Sequence, residues 1–199
     1  MENKLKNVLM QALSYSLKDD AEAVAERLID RYGGLHRIFS MDVSAIRECE
    51  KIDERTARLI KLIGAITARR GMERLKFGQP ATDEQYSEYV KYLFVGVPIE
   101  RIYIIFISEK GCPIATELVG EGIVNYSEIS LRKIVELAIK YKAASVIMVH
   151  NHPRGVSDPS TEDVSVTSNL DYLLNLSGVK LLKHIVVADD KLHFIMPDE

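Results

Sequence analysis

The sequence predicts an α+β molecule in two parts: a small all-α domain, then an α/β domain on a mixed or mainly antiparallel sheet. Three observations carry this expectation. From residue 4 to residue 67 apolar side chains recur at helical spacing in four or five short segments. From residue 101 onward β-branched and aromatic runs alternate with amphipathic ones. Between them Gly71 to Thr82, punctuated by Gly78 and Pro80, breaks both patterns and reads as a linker. The expected organisation is a helical domain over 1–75, a linker over 76–82 and a second domain over 83–199.

In the first part, residues 4–16 place Leu5, Val8, Leu9, Ala12 and Leu13 on one helical face. Asp19 or Asp20 offers an N-cap to a second helix carrying Ala21, Val24, Ala25, Leu28 and Ile29, and Gly33-Gly34 ends it. Leu35 to Phe39 makes another turn, and Ser40 or Asp42 caps a short helix through Val43, Ile46 and Cys49. Asp53 caps a longer helix with Ala57, Leu59, Ile60, Ile63, Ile66 and Thr67.

In the second part, Asp83 caps a helix through Tyr86, Tyr89, Val90, Leu93 and Phe94. The segment 101–108 is the strongest strand, too apolar for an exposed edge, and Glu109-Lys110-Gly111 turns it into a returning strand from Cys112 to Val119. A helix starting at Ser130 or Ser127 carries Ile134, Val135, Leu137, Ala138 and Tyr141, and the strand Ser145 to Val149 follows. Thr161 to Leu176 reads as a helix stopped by Gly178, and Leu181 to Ala188 and Leu192 to Met196 read as two final strands.

A hydrophobic share of 47% with 28% charged residues is ordinary for a globular protein, and a net charge of -3 argues against a dedicated nucleic-acid binder. The bias is uneven: residues 1–80 carry 15 basic against 12 acidic residues, and the remainder 11 against 17. Without a signal-like N-terminus or a long apolar run, a cytoplasmic location is expected. Cys49 and Cys112 lack any C-x-x-C spacing and read as reduced, half-buried thiols.

Chemistry concentrates at His150-Asn151-His152-Pro153. Side chains alternate at a strand end, so His150 and His152 can face one ion while Asn151 points elsewhere, and Pro153 forces the chain out of the sheet. Asp163, in the first turn of the next helix, can return a carboxylate to the same point. Two imidazoles and a carboxylate form a common catalytic zinc set with an open fourth position. Asp158 lies between these residues and is the competing acid; His36 and His193 read as surface residues, and His184 as a supporting or packing one.

The full pattern H-x-H-P-x6-S-x-x-D resembles the JAMM (MPN+) metalloprotease signature, and H-N-H-P with Pro159-Ser160 and Asp163 resembles its RadC branch. The resemblance extends to Ala25-Glu26-Arg27-Leu28 and Tyr32-Gly33-Gly34-Leu35, to Gly122 and Asn125, and to His184-Ile185-Val186-Val187. Arg154 and Lys183 depart from it, standing where a serine and an acidic residue are common.

The resemblance implies a JAMM (cytidine-deaminase-like) mixed-sheet domain, with His150, His152 and Asp163 as zinc ligands and water as the fourth. It implies Ser160 as donor to a developing oxyanion and a glutamate as general base, Glu100 by family position with Glu117 as the alternative. The expected activity is zinc-dependent hydrolysis of peptide or isopeptide amides. The alternative is a DNA-associated repair or recombination factor with a structural metal. Residues 46–60 resemble a helix-hairpin-helix, the basis for possible DNA contact through residues 45–70, but Lys51-Ile52-Asp53 replaces the glycine-bearing turn that admits a phosphate.

Overall fold

The computed structural model describes residues 2–17, 20–50, 52–122, 130–153, 155 and 158–197, with side chains from Lys6 on and without those of 16, 49 and 50. Asp19, Lys51, Asn125, Ser127 and Arg154, and the side chains of Leu5 and Cys49, lie outside the described residues. The chain divides into two compact units, Met1–Met72 with Tyr92–Pro98, and Glu73–Lys91 with Ile99–Glu199.

The first unit is built from α1 (Glu2–Leu17), α2 (Ala21–Tyr32), α3 (Leu35–Ser40), α4 (Val43–Glu50) and α5 (Glu54–Met72). Its core gathers Leu9, Leu13, Ala25, Leu28, Ile38, Phe39, Ile46, Ala57 and Ile60, largely the predicted stripes. Two stripe positions sit at the margin and face solvent, Val8 at 42% exposure and Ile66 at 51%. Gly33 takes φ 76° and closes α2 through its N–H to the Ile29 carbonyl, as its left-handed conformation allows. Asp53 caps α5, accepting from the Thr56 N–H at 3.0 Å and the Thr56 hydroxyl at 2.9 Å. Ser40 belongs to α3 and donates to the His36 carbonyl, so it does not cap α4. Gly71 does not break the helix. It lies inside α5, buried, because a Cβ there would stand 1.9 Å from Cγ of Tyr92.

The second unit holds a five-stranded sheet in the order β2-β1-β3-β4-β5. Its strands are β1 (Arg101–Ile107), β2 (Pro113–Glu121), β3 (Ser145–Asn151), β4 (Lys180–Ala188) and β5 (Lys191–Ile195). β3 and β4 run parallel and every other neighbouring pair is antiparallel, the mixed sheet expected. β1, buried along most of its length, lies inside the sheet as its composition requires. The parallel pair needs a crossover, supplied by α8 (Thr161–Leu176).

With α7 (Leu131–Tyr141), α8 covers one sheet face, packing Ile134, Ala138, Val166, Leu170 and Leu174 with Ile102, Ile104, Phe106, Val146 and Met148. Ser130 caps α7, accepting from the Lys133 N–H at 3.2 Å. Helix α6 (Asp83–Leu93) begins at Asp83 but is capped by Thr82 rather than by Asp83. The Thr82 hydroxyl accepts from the Gln85 main-chain N–H, and the Gln85 side-chain oxygen Oε1 accepts from the Thr82 N–H at 2.8 Å, a reciprocal pair that an aspartate one residue later cannot make. No described helix is long and apolar enough to cross a membrane.

Candidate metal centre

His150 belongs to β3 itself, on the row Ile102–His150–Val186, two residues beyond Met148 and so on the face that α8 covers. The chain keeps its extended course one residue past the strand, since the His152 N–H donates to the Val187 carbonyl at 2.8 Å. It then turns through Gly155, whose N–H donates back to the His152 carbonyl. Both imidazoles therefore point at the N-terminus of α8.

Ser160 and Asp163 form a capping box there. The Ser160 hydroxyl accepts from the Asp163 N–H at 3.1 Å and donates to Asp163 Oδ2 at 2.7 Å, and the Ser160 N–H donates to the same oxygen at 2.7 Å. The box both starts the helix and fixes the carboxylate, which is fully buried.

Three groups converge. His150 Nε2 lies 2.8 Å from His152 Nε2 and 3.1 Å from Asp163 Oδ1, and His152 Nε2 lies 3.5 Å from Asp163 Oδ2. These ligand atoms all fall within 4.8 Å of one another. Tetrahedral ligands at about 2.0–2.2 Å from an ion stand about 3.3–3.6 Å apart; the 3.5 Å spacing lies in that range, and the 2.8 and 3.1 Å spacings are shorter, at hydrogen-bond distance. A buried carboxylate facing two imidazole nitrogens is costly unless a cation or proton sits among them, so the donor set fits a metal ion.

Behind His150 lies a second, fully buried imidazole. His184 Nε2 is 2.7 Å from His150 Nδ1, its Nδ1 is 2.6 Å from the Thr167 hydroxyl, and that hydroxyl donates to the Asp163 main-chain carbonyl at 2.6 Å. Burial first, then the neighbouring His150, pushes the His184 pKa down to about 3, so this ring is neutral at physiological pH. His184 is thus a supporting group, as its sequence position suggested. Thr167 was not singled out from sequence; its signal is the i,i+4 spacing from Asp163 on one helix face.

Asn151 points away from the cluster. Its buried side chain accepts from the Arg101 N–H at 2.8 Å and donates to the Ile99 carbonyl at 3.1 Å, clamping the entry of β1. That clamp brackets Glu100, whose carbonyl also accepts from the Gly122 N–H at 2.9 Å. Counting on from the Ile102–His150 pair, Glu100 falls level with His152. Glu117 pairs with Ile104 on the edge strand, and its carboxylate accepts from the Tyr141 hydroxyl. The Tyr141 ring packs on Phe106, level with Val146 at the far end of β3. Asp158 is exposed and outside the convergent group, His193 is exposed on β5, and His36 is half-buried rather than on the surface.

The fold and site together define a mixed-sheet α/β domain that brings two histidines and an aspartate together at a strand-to-helix connection, as a group that could hold a metal ion. Residues 81–199 match the family described as RadC-like JAB domain. A UPF0758 protein from Janthinobacterium sp. (strain Marseille) is 31% identical over 166 residues, covering 83% of this chain and 74% of that protein. One from Vibrio vulnificus (strain YJ016) is 28% identical over 167 residues, covering 83% and 75%. One from Photobacterium profundum is 27% identical over 174 residues, covering 87% and 78%. The chain belongs to the RadC family.

Proposed function

We propose that this protein is a zinc-dependent hydrolase of peptide or isopeptide amide bonds. The observation that carries the reading is the convergence of ligand atoms from His150, His152 and Asp163 within 4.8 Å, with His150 and Asp163 buried and His152 partly so. These three residues would hold the ion, and imidazole nitrogen with carboxylate oxygen suits zinc. When bound, zinc supplies Lewis acidity and lowers the pKa of a water toward neutrality.

Glu100 is the general base, for two reasons. It is level with His152 and held by clamped backbone on both sides, whereas the Glu117 carboxylate is engaged by Tyr141. It takes a proton from the attacking water and returns it to the leaving amine. Ser160 donates to the developing oxyanion, a role in which its proton swings away from the Asp163 carboxylate.

DNA contact through residues 45–70 has less support. The Asp53 carboxylate occupies the N-terminus of α5, where a phosphate would sit, and Arg58 and Arg47 are paired with Glu54.

The test is cleavage of a library of peptides and isopeptide-linked conjugates by the zinc-loaded full chain. Glu100→Gln is expected to lower hydrolysis by about 10²-fold or more with zinc retained, and Glu117→Gln to leave it near wild type. A zinc-loaded protein that cleaves nothing in such a library would overturn the hydrolase reading, and an active Glu100→Gln would overturn the choice of base.

A further inference from the structure

We propose that Thr167 and His184 are positioning residues that hold His150 as its Nδ1–H tautomer, so that the Nε2 lone pair faces the metal. The inference rests on the reading of His150 as a metal ligand given above. It is drawn from the direction in which each hydrogen bond behind the site must run.

One acceptor in this chain of hydrogen bonds has no choice of role. The Asp163 main-chain carbonyl carries no proton, so the Thr167 hydroxyl, 2.6 Å away, must donate to it. With its one proton committed, the hydroxyl faces His184 Nδ1 as an acceptor at 2.6 Å, which places the imidazole proton on Nδ1. His184 Nε2 is then an acceptor, and its neighbour at 2.7 Å, His150 Nδ1, must be the donor. A neutral His150 with its proton on Nδ1 has its lone pair on Nε2, the atom that meets His152 and Asp163.

The reverse polarity is doubly penalised. It leaves two oxygens 2.6 Å apart with no proton between them, and it puts a proton on His150 Nε2, where a metal ion would need the lone pair. One hydroxyl on α8 thereby sets the tautomer of a ligand on β3, through a ring on β4. The circuit leaves Asp163 by its carbonyl and returns to it at its carboxylate. Metal-ligating histidines commonly donate their second N–H to a carboxylate, carbonyl or water. An imidazole in that place orients the ring without adding negative charge to the site.

The test uses the full chain, ¹⁵N-labelled at histidine, in metal-free and zinc-titrated form at mildly alkaline pH. Long-range proton–nitrogen correlation reads the tautomer of each ring. His150 and His184 are expected to be protonated on Nδ1 and bare on Nε2, and zinc is expected to shift His150 Nε2. Thr167→Val removes the hydroxyl at nearly constant volume. It is expected to weaken zinc binding by about 10-fold or more in competition with a chromogenic chelator, with Thr167→Ser restoring it.

A wild-type His150 protonated on Nε2, or a Thr167→Val variant that binds zinc as tightly as wild type, would overturn the proposal. Should the valine variant not fold, the wild-type ring spectra still decide. A wild type that binds zinc with an unaffected valine variant overturns only the relay, whereas a wild type that binds no zinc overturns the metal reading and the relay together.

Discussion

The Asp163 carboxylate serves backbone and site at once, and the two duties can be separated by substitution. Asp163→Asn keeps an oxygen for the Ser160 N–H but removes the charge. It is expected to lose zinc affinity by about two orders of magnitude or more while melting near the wild-type temperature. Asp163→Ala forfeits the cap as well and is expected to cost a further 0.5–2 kcal/mol or so in denaturant unfolding. Asn151→Ala should show the opposite pattern, keeping one zinc per chain by metal analysis. It loses about 1–3 kcal/mol because the Arg101 N–H and Ile99 carbonyl give up their partner. Tyr86 offers a pH signature. Its hydroxyl is buried and, among the described residues, finds no hydrogen-bond partner; burial first, then Cys112 and Asp83, push its pKa up to about 12. The unfolded chain releases this proton near the ordinary value of about 10, so stability falls as pH rises from there toward 12. Tyr86→Phe is expected to flatten that alkaline limb and leave neutral-pH stability equal or higher, as pH-dependent denaturation would measure.

At the scale of elements, the helices and strands were legible because their signals are local. Asp53, Ser130 and Ser160 each stand one residue ahead of an amphipathic run, and each side chain accepts from the N–H three residues on. The start of α6 was misread because a reciprocal Thr82–Gln85 pair outcompetes the acidic residue beside it. Gly71 was misread for a different reason. A glycine marks either a break or a close approach, and choosing between them requires Tyr92, twenty-one residues away. The same contact yields a prediction: Gly71→Ala drives a Cβ into the tyrosine ring and is expected to destabilise by about 3 kcal/mol, with little change in helix content by circular dichroism. Stripe-edge residues such as Val8 and Ile66 show the limit of periodicity, which places a residue near a face without saying whether the neighbouring element reaches it.

At the scale of the whole molecule, the convergence of His150, His152 and Asp163 was legible because the three sit within fourteen residues of one another, on a strand end and the next helix start. The circuit behind it was not, since Thr167 and His184 meet only once the parallel crossover has brought α8 over β4. Each unit has its own apolar core, and the convergent His-His-Asp group belongs wholly to the second. Zinc at about 100 times its Kd is expected to add about 2.7 kcal/mol to the calorimetric transition of the sheet unit, reversed by a chelator. The capping box also bears on descent. A lineage that abandoned the chemistry would still be under pressure to keep Ser160 and Asp163, because losing them unravels the start of a helix. Their survival in a relative is therefore poor testimony to a working centre. The imidazole of His152 is the better witness: the strand extension there uses only its main-chain N–H, so a drifting lineage can discard the ring without losing that bond.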